Sequence, residues 1–555
     1  MAAVPAATEP LATIANRWLA GFEGALAQRD DGRLRALFHP DSHWRDALAF
    51  TWHLGTVSGC DAIPGKLKAH AARARPTGFT LDPDRTPPRH VTRAGTKCIE
   101  AIFRFETAQG RGSGVLRLLS DEAKAWTLFT GLDELKGFEE RRGSAAGDAD
   151  REPAVLVVGG GHAGLSIAAR LARRQVDTLV VDRWPRVGDN WRRRYDALTL
   201  HNQVHVNHLP YMPFPPGFPV YIPKNQLADW FEAYAQAMQL QYWTGTEFEG
   251  GAYDEGKRRW SVVLRRPDGT RREMHPRHVV LATGVSGIAN RPDIALLDGF
   301  AGKVLHSSEY VDGAPWKGRK ALVIGTGNSG HDIAEDLHRA GARVTLVQRS
   351  PTLIVNRDPS AQLVYGLYSE GPPLEDCDLI TASVPLALAR KTHILATEHA
   401  KKLDQALLDR LERKGFRLDF GEDGTGWQFK YLTRGGGYYF NVGCSDLIAD
   451  GEIGLAQFAE LERLLDGADL VVLATGWKGQ EHLVGKLFGE QVAARVGPIW
   501  GFGDAQELRN MFARTAQPGL WFIAGSFAQC RIYSRYLALQ IKACETDLLP
   551  TCRDG

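Results

Sequence analysis

The stretch Val155-Leu-Val-Val-Gly-Gly-Gly-His-Ala-Gly164 decides the fold of this chain. Its apolar run has the length of a buried strand and leads into a glycine turn that opens a helix. Gly159, Gly161 and Gly164 fit the pattern G-x-G-x-x-G. The first glycine permits the tight turn, the second lets backbone N–H groups approach a pyrophosphate, and the third lets the helix pack close to the strand. The helix start presents unpaired N–H groups and a partial positive charge to the phosphates. A second apolar run, Thr178-Leu-Val-Val-Asp182, ends in an acid. Asp182 lies about 20 residues past the glycines, where a carboxylate takes ribose hydroxyls, and Arg183 follows it. Together these features read as a dinucleotide site. The alternative is an ordinary glycine turn in a doubly wound sheet.

The same grammar recurs downstream in Lys320-Ala-Leu-Val-Ile-Gly-Thr-Gly-Asn-Ser-Gly330. Gly325, Gly327 and Gly330 repeat the fingerprint, with Asn328 and Ser329 inside the turn. The strand that follows, Ala342 to Gln348, ends in Arg349 and Ser350 rather than in an acid. A guanidinium at that place accepts a 2′-phosphate with its planar fork, so this second site is expected to prefer NADPH over NADH. Arg343 is a second candidate for that contact, and a solvated surface Arg349 is the alternative. Two apolar runs ending in Ala-Thr-Gly, at His278–Gly284 and Asp469–Gly476, bracket this second unit. Lys224 to about Leu240 and Ser383 to Leu411 carry helical periodicity.

Composition narrows the class. The chain has 555 residues, 44% of them hydrophobic, with 67 basic and 65 acidic side chains. That near balance leaves no footprint for nucleic acid or an anionic membrane. No apolar run approaches the ~18 residues of a membrane span. The N-terminus lacks a basic n-region, so no secretory signal is expected. Seven scattered cysteines without a C-x-x-C pair suit reduced thiols in the cytoplasm and suggest no metal site.

The first 140 residues precede any nucleotide signal. Helical periodicity from Ala12 to about Leu37 gives way to alternating strands at Cys98–Glu106, Gly114–Leu119 and Ala125–Thr130, an α+β module. The run Leu37-Phe-His-Pro-Asp-Ser-His-Trp-Arg-Asp46, followed by Gly59, resembles the opening of a nuclear-transport-factor-2-like or SnoaL-like cone. The resemblance implies either a small-molecule pocket, with His43, Asp46 and His53 as the candidates to line it, or a packing or dimerisation domain without chemistry. A homodimer is among the expected partners. Glu139 to Pro153 is charged and poor in apolar residues, and reads as a linker.

Three further motifs carry a family resemblance. Gly188-x-x-Trp191 with Arg194-Tyr-Asp and Leu198-x-Leu-His is one, and the proline-rich Leu209–Pro219 is another. The third is Phe300-x-Gly-x-x-x-His306-x-x-x-Tyr310. Together with two glycine fingerprints they resemble the class B flavin-containing monooxygenases, including the YUCCA-like and N-hydroxylating branches, over residues 150 to 555. Baeyer–Villiger enzymes carry a similar third motif ending in Trp. The fold so implied is α/β, with two doubly wound Rossmann-type domains for FAD and NADPH behind an NTF2-like cone. The implied division is a cone at 1–140, a linker at 141–153, FAD domain at 154–315 and 466–555, and NADPH domain at 316–465.

The resemblance also implies roles. FAD would be held by Gly159, Gly161, Gly164, Asp182, Arg183, Gly188, Trp191 and Gln529, and NADPH by Gly325, Gly327, Asn328, Ser329, Gly330, Arg349 and Ser350. Asn202 matches an Asn that sits beside the flavin in animal-type members, or else caps a turn. His306 is expected to position the hinge between domains rather than to move a proton. Ser534 and Arg535 are weaker candidates near the flavin. The implied reaction is formation of a C4a-(hydro)peroxyflavin and transfer of one oxygen atom of O2 to a small organic substrate. N- or S-oxygenation and decarboxylative oxygenation of a 2-oxo acid are both open. Baeyer–Villiger oxygenation of a ketone, an NADPH oxidase that releases hydrogen peroxide, a disulfide reductase and a non-enzymatic sensor are the competing readings.

Overall fold

The structure, a computed structural model, describes residues 9–141, 143, 152–285 and 287–552. Most of the expected linker lies outside the described residues. The chain forms a mixed α/β assembly around three large sheets.

The N-terminal module opens with α1 (Leu11–Ala27) and α2 (Asp31–Leu37), which divide the single helical stretch expected there. Asp30 caps α2 by accepting from the N–H of Arg33, which forces the break between them. Then come β1 (Phe38–Ala47), β2 (Leu54–Ser58), α3 (Ala62–Ala74), β3 (Thr77–Leu81), β4 (Arg89–Arg93), β5 (Thr96–Glu106), β6 (Gly110–Leu119) and β7 (Ala125–Leu135). The strands form one seven-stranded sheet in the order β2-β1-β7-β6-β5-β3, with β4 also on β5. Alternation along β1 sends Trp44 and Asp46 to the helix-covered face and Arg45 to the other. The helix-covered side is filled: Trp18, Phe22, Trp44, Phe50, Phe103 and Phe105 are all buried.

The first parallel sheet takes β8 (Val155–Val158), β9 (Thr178–Val181), β10 (Gln241–Trp243), β14 (His278–Leu281) and the late β24 (Leu520–Phe522). Its order is β10-β9-β8-β14-β24. Helix α4 (His162–Arg173) follows β8, while α5 (Asp189–Arg192) and α6 (Lys224–Ala237) lie between β9 and β10. A three-stranded antiparallel flap, β11 (Glu247–Asp254), β12 (Arg259–Arg265) and β13 (Arg271–Met274), precedes β14.

The chain leaves this unit through β15 (Ile288–Ala289) and enters the second parallel sheet at β16 (Lys303–His306). The second sheet therefore begins ahead of residue 316: β16 pairs with β22 (Leu470–Leu473), not with any strand of the first sheet. It is completed by β17 (Lys320–Ile324), α7 (Asn328–Arg339), β18 (Arg343–Gln348) and β21 (Gly454–Gln457), in the order β16-β22-β17-β18-β21. Between β18 and β21 run β19 (Leu353–Asn356), α8 (Leu374–Ala382), α9 (Leu386–Arg413), α10 (Gly426–Arg434), β20 (Tyr438–Asn441) and α11 (Cys444–Asp450), while α12 (Leu461–Leu465) leads into β22. The expected helix at Ser383–Leu411 is α9. The return is through β23 (Trp477–Lys478), which pairs antiparallel with β15, so both crossings between the sheets are hydrogen-bonded to each other. Helices α13 (Gln480–Phe488) and α14 (Glu490–Val496) then lead to β24 and the long closing helix α15 (Phe527–Glu545).

Candidate active site

The first glycine turn has the close approaches that its sequence demands. Gly159 has φ 102°, and a Cβ there would lie 2.7 Å from the carbonyl oxygen of Ala282. A Cβ on Gly164 would run into the carbonyl oxygen of Gly159. Gly161 precedes α4 and no side chain caps that helix, so its first N–H groups face the turn. Asp182 closes the turn from the tip of β9. One carboxylate oxygen accepts from the N–H of Gly160 at 2.7 Å and the other from the N–H of Trp184 at 2.9 Å. Burial raises the Asp182 carboxyl above its ordinary range, although these donors oppose it.

Several polar atoms around this turn are buried without a partner. Among the described residues they include Trp191 Nε1 and Thr283 Oγ1. Thr283 adjoins Gly159, and Asn190, next to Trp191, adjoins Gly161. Orphaned buried donors and acceptors beside a phosphate-type turn are what a large polar cofactor would satisfy. Gly188 has φ 88° and packs on the backbone of Ala228, which fixes the turn before Trp191. Arg183 is exposed, its guanidinium over the Trp184 ring at 5.0 Å.

The start of α15 meets the start of α4. His162 Nε2 lies 2.8 Å from the carbonyl oxygen of Gly525, and its ring stacks on Phe527 at 4.3 Å. Ser526 Oγ accepts from the N–H of Gln529, and Gln529 Oε1 accepts from the N–H of Ser526, a reciprocal capping box. Two helix N-termini thus bring partial positive charge to one place. Ser534 and Arg535 do not reach it. Ser534 Oγ donates within its own helix, and Arg535 pairs with Asp133 of β7 at 2.9 Å. They lie two turns further along α15, beyond the reach of its first residues.

The second turn repeats the geometry. Gly325 has φ 115° and would clash with Ala474 if it carried a side chain. Gly327 precedes α7, again without a side-chain cap, and Gly330 packs on Gly325. Asn328 Oδ1 accepts from the N–H of Phe440 at 3.0 Å, which pins the turn to β20. Ser329 is half-buried beside it. Arg349 and Ser350 are exposed just past the C-terminal end of β18, the end at which open α/β sheets bind ligands. Arg343 sits at the opposite end of that strand, in register with Lys320, and cannot share the contact. Arg417 does lie there: one of its Nη atoms donates to the carbonyl oxygen of Arg349 at 2.6 Å. Nothing local in the sequence marks Arg417, because it arrives from a loop 68 positions away.

His306 is buried, with Nδ1 2.8 Å from Ser308 Oγ and Nε2 3.2 Å from the carbonyl oxygen of Gly476. Both ring nitrogens are engaged, and burial lowers its pKa. It ties the entry into the second sheet to the second Ala-Thr-Gly, next to the paired crossings β15 and β23. Tyr310 donates to Asp336 at 2.6 Å, which anchors the end of the same motif to α7. Asn202 donates from Nδ2 to the Tyr365 hydroxyl at 3.1 Å, leaving its Oδ1 unpartnered.

A cavity of about 420 Å³ adjoins the capping box, with Ser526, Ala528 and Gln529 in its lining and Tyr365, Phe429 and Ile532 among its walls. Its size suits a small organic molecule. The His43, Asp46 and His53 candidates do not meet in a comparable space. His43 Nδ1 lies 2.7 Å from Ser58 Oγ, and the Asp46 carboxylate accepts from Thr130, Thr51 and the N–H of Phe50 in the packed aromatic interior. All seven cysteines are free. Among the described residues no helix is long and apolar enough to cross a membrane.

Comparison with known proteins adds to this geometry. The family described as pyridine nucleotide-disulphide oxidoreductase matches residues 156–366. The chain is 37% identical over 216 residues to the indole-3-pyruvate monooxygenase YUCCA1 of Oryza sativa subsp. japonica, covering 39% of this chain and 52% of that one. It is 31% identical over 337 residues to the probable indole-3-pyruvate monooxygenase YUCCA4 of Arabidopsis thaliana, covering 59% of this chain and 76% of that one. Among solved structures, OTEMO in complex with FAD and NADP superposes with a TM-score of 0.51 at 16% identity, covering 72% of this chain and 87% of that one.

Proposed function

The chain belongs to the flavin-containing monooxygenase family, whose members are NADPH-dependent and use FAD, and from that premise we propose that it inserts one oxygen atom of O2 into a small organic substrate. The observation that supports this most directly is the juxtaposition at Gly525–Gln529. There the starts of α4 and α15 converge, the Asn202–Tyr365 pair approaches, and the 420 Å³ cavity adjoins them.

FAD, once reduced by NADPH, would supply the oxygen-activating chemistry when bound. The chain's own residues do the remainder. Gly159, Gly161 and Gly164 leave the backbone open to the FAD pyrophosphate, and Asp182 faces the ribose. Trp191, Thr283 and Asn202 offer buried polar atoms that a bound flavin would satisfy. The uncapped N–H groups of α4, together with the positive end of the α15 dipole, favour negative charge on a reduced cofactor. Gly325, Gly327, Gly330, Asn328 and Ser329 form the NADPH turn, with Arg349 and Arg417 at the 2′-phosphate end. His306 holds the crossing between the two sheets, a positioning role. Tyr365 and Phe429 give the adjoining cavity an aromatic lining.

The reactions in view are N- or S-oxygenation and decarboxylative oxygenation of a 2-oxo acid. The N-terminal sheet with its three helices is read as an NTF2-like cone, supported by its strand order and packed helix-covered face. The test is product analysis with the purified full-length protein. NADPH consumed, hydrogen peroxide released and product formed are measured together for a sulfide, an amine, a 2-oxo acid and a ketone. We expect oxygenated product to account for NADPH with at least one of them. Peroxide in step with NADPH for every compound would establish an oxidase instead.

A further inference from the structure

The cavity beside the capping box is not enclosed by the oxygenase part alone. Arg45, Leu54, Thr92, Arg93, Ala94 and Arg117, all from the N-terminal sheet, belong to the same lining as Ser526 and Gln529. Leu54 and the guanidiniums of Arg45, Arg93 and Arg117 come from the face of that sheet that carries no helices. Two kinds of contact hold this face against the oxygenase.

The first is apolar. Ala94, Cys98 and Trp126 form one buried cluster with Leu388 at the start of α9. The second is polar. Arg45 clasps Glu507 through Nε at 2.7 Å and Nη2 at 2.6 Å, and also donates to the carbonyl oxygen of Ala382. Arg117 reaches Ser383 Oγ at 2.9 Å, and Arg85 pairs with Asp376 at 2.8 Å. All of these partners sit on, or just beyond, α8 and the loop containing Glu507. The opposite wall of the cavity is built from the same segments, through Ile380, Val384, Leu388 and Met511.

The guanidiniums at this wall are paired, and Arg89 behind them shares Glu100 and Glu370. Arg45 is bound by Glu507, Arg93 by Glu370 and Glu100, and Arg117 by Glu100. Each guanidinium facing the cavity from the N-terminal sheet therefore already has a carboxylate partner within the protein. The rest of the lining is mainly aliphatic and aromatic, and His393 is kept neutral by burial, which pushes its pKa down to about 4.

We propose that the substrate cavity is shared between the two modules: the N-terminal sheet forms one wall and, with its guanidiniums each paired, helps select an uncharged, ring-bearing substrate, which favours N- or S-oxygenation over the 2-oxo acid reaction. This rests on the monooxygenase reading for the identity of the ligand as substrate, but the cavity itself can be tested by binding. The module's ligand contact is then on its open sheet face and not in the packed interior beneath its helices.

The test uses the full-length, FAD-loaded protein and calorimetric binding of methyl naphthyl sulfide and of its carboxylate-bearing counterpart. We expect the neutral sulfide to bind about tenfold more tightly than the carboxylate, the cost of placing an unpaired anion in this lining. Leu54→Trp, which fills the cavity from the N-terminal side, should weaken sulfide binding by about tenfold. Leu54→Phe, a smaller filling of the same space, should shift it in the same direction by less; FAD content and circular dichroism establish that both variants are folded. Met511→Trp on the opposite wall serves as the reference. Weakening by Met511→Trp with no change in either N-terminal variant would overturn the shared wall. Equal or tighter binding of the carboxylate, or no sulfide binding at all, would overturn the ligand class. Sulfide binding that depends on Leu54 while NADPH yields only peroxide would support the cavity and remove the monooxygenase reading.

Discussion

At the scale of single residues, the charge on a few buried groups has measurable consequences. Burial holds the Asp332 carboxyl of α7 up at about 7, from an ordinary 3.8, even though the Tyr195 hydroxyl donates to it at 2.6 Å. The native state therefore keeps a proton that the unfolded chain has lost. Stability should fall as pH rises from about 4 to about 7. Asp332→Asn removes that dependence, so its urea midpoint should gain on the wild type across this window; parallel curves would show that Asp332 is already ionised when folded. The cationic pair at the end of β18 sets a second expectation. Replacing Arg349 or Arg417 by Gln should each raise the KM for NADPH about tenfold, the cost of one charge-assisted contact, and leave that for NADH nearly unchanged. Steady-state kinetics with both cofactors separates this from a general loss of binding.

At the scale of elements, the start of α15 is where the cavity meets the start of α4. Its capping box satisfies N–H groups that would otherwise point into the cavity unpaired. Ser526→Ala should cost about 1 kcal/mol of stability, measured by chemical denaturation, and should loosen FAD retention as the helix start frays. Stability loss without any change in FAD retention would separate the cap from the flavin site. The two glycine turns are the other decisive elements. Gly159 and Gly325 adopt left-handed backbone and lie against Ala282 and Ala474, so both turns are fixed by backbone packing.

For the whole molecule, the decisive feature is a set of contacts that joins the ends of the chain. Arg45 and Glu507 are 462 positions apart and nearly buried together. Removing the carboxylate strands the guanidinium between the modules. Glu507→Gln is therefore expected to lower stability by about 3 kcal/mol or more, seen as an early unfolding transition of the N-terminal module. Flavin fluorescence and far-UV circular dichroism recorded during urea denaturation would resolve it; coincident, unshifted transitions would mean that the pair adds little to the interface.

The sequence by itself determined the parts that depend on neighbours along the chain. Apolar runs became the strands β8, β9, β17 and β18, the glycine spacing placed both turns, and Asp182 stands at the tip of β9 as its distance from the turn required. The helical period from Ser383 marked α9, although its start moved to Leu386 behind a proline. These features are legible because backbone geometry and periodic burial are local. Only the tertiary structure decided that β16 joins the second sheet, that Arg417 rather than Arg343 stands beside Arg349, and that Ser534 and Arg535 are engaged away from the start of α15. It alone showed that Asp46 is consumed in packing beneath the helices while Arg45, its neighbour in sequence, faces the cavity side. A one-residue change of direction along a strand sends a side chain to the opposite face of the sheet. What covers each face is set by segments hundreds of residues away, and no local pattern in β1 records them.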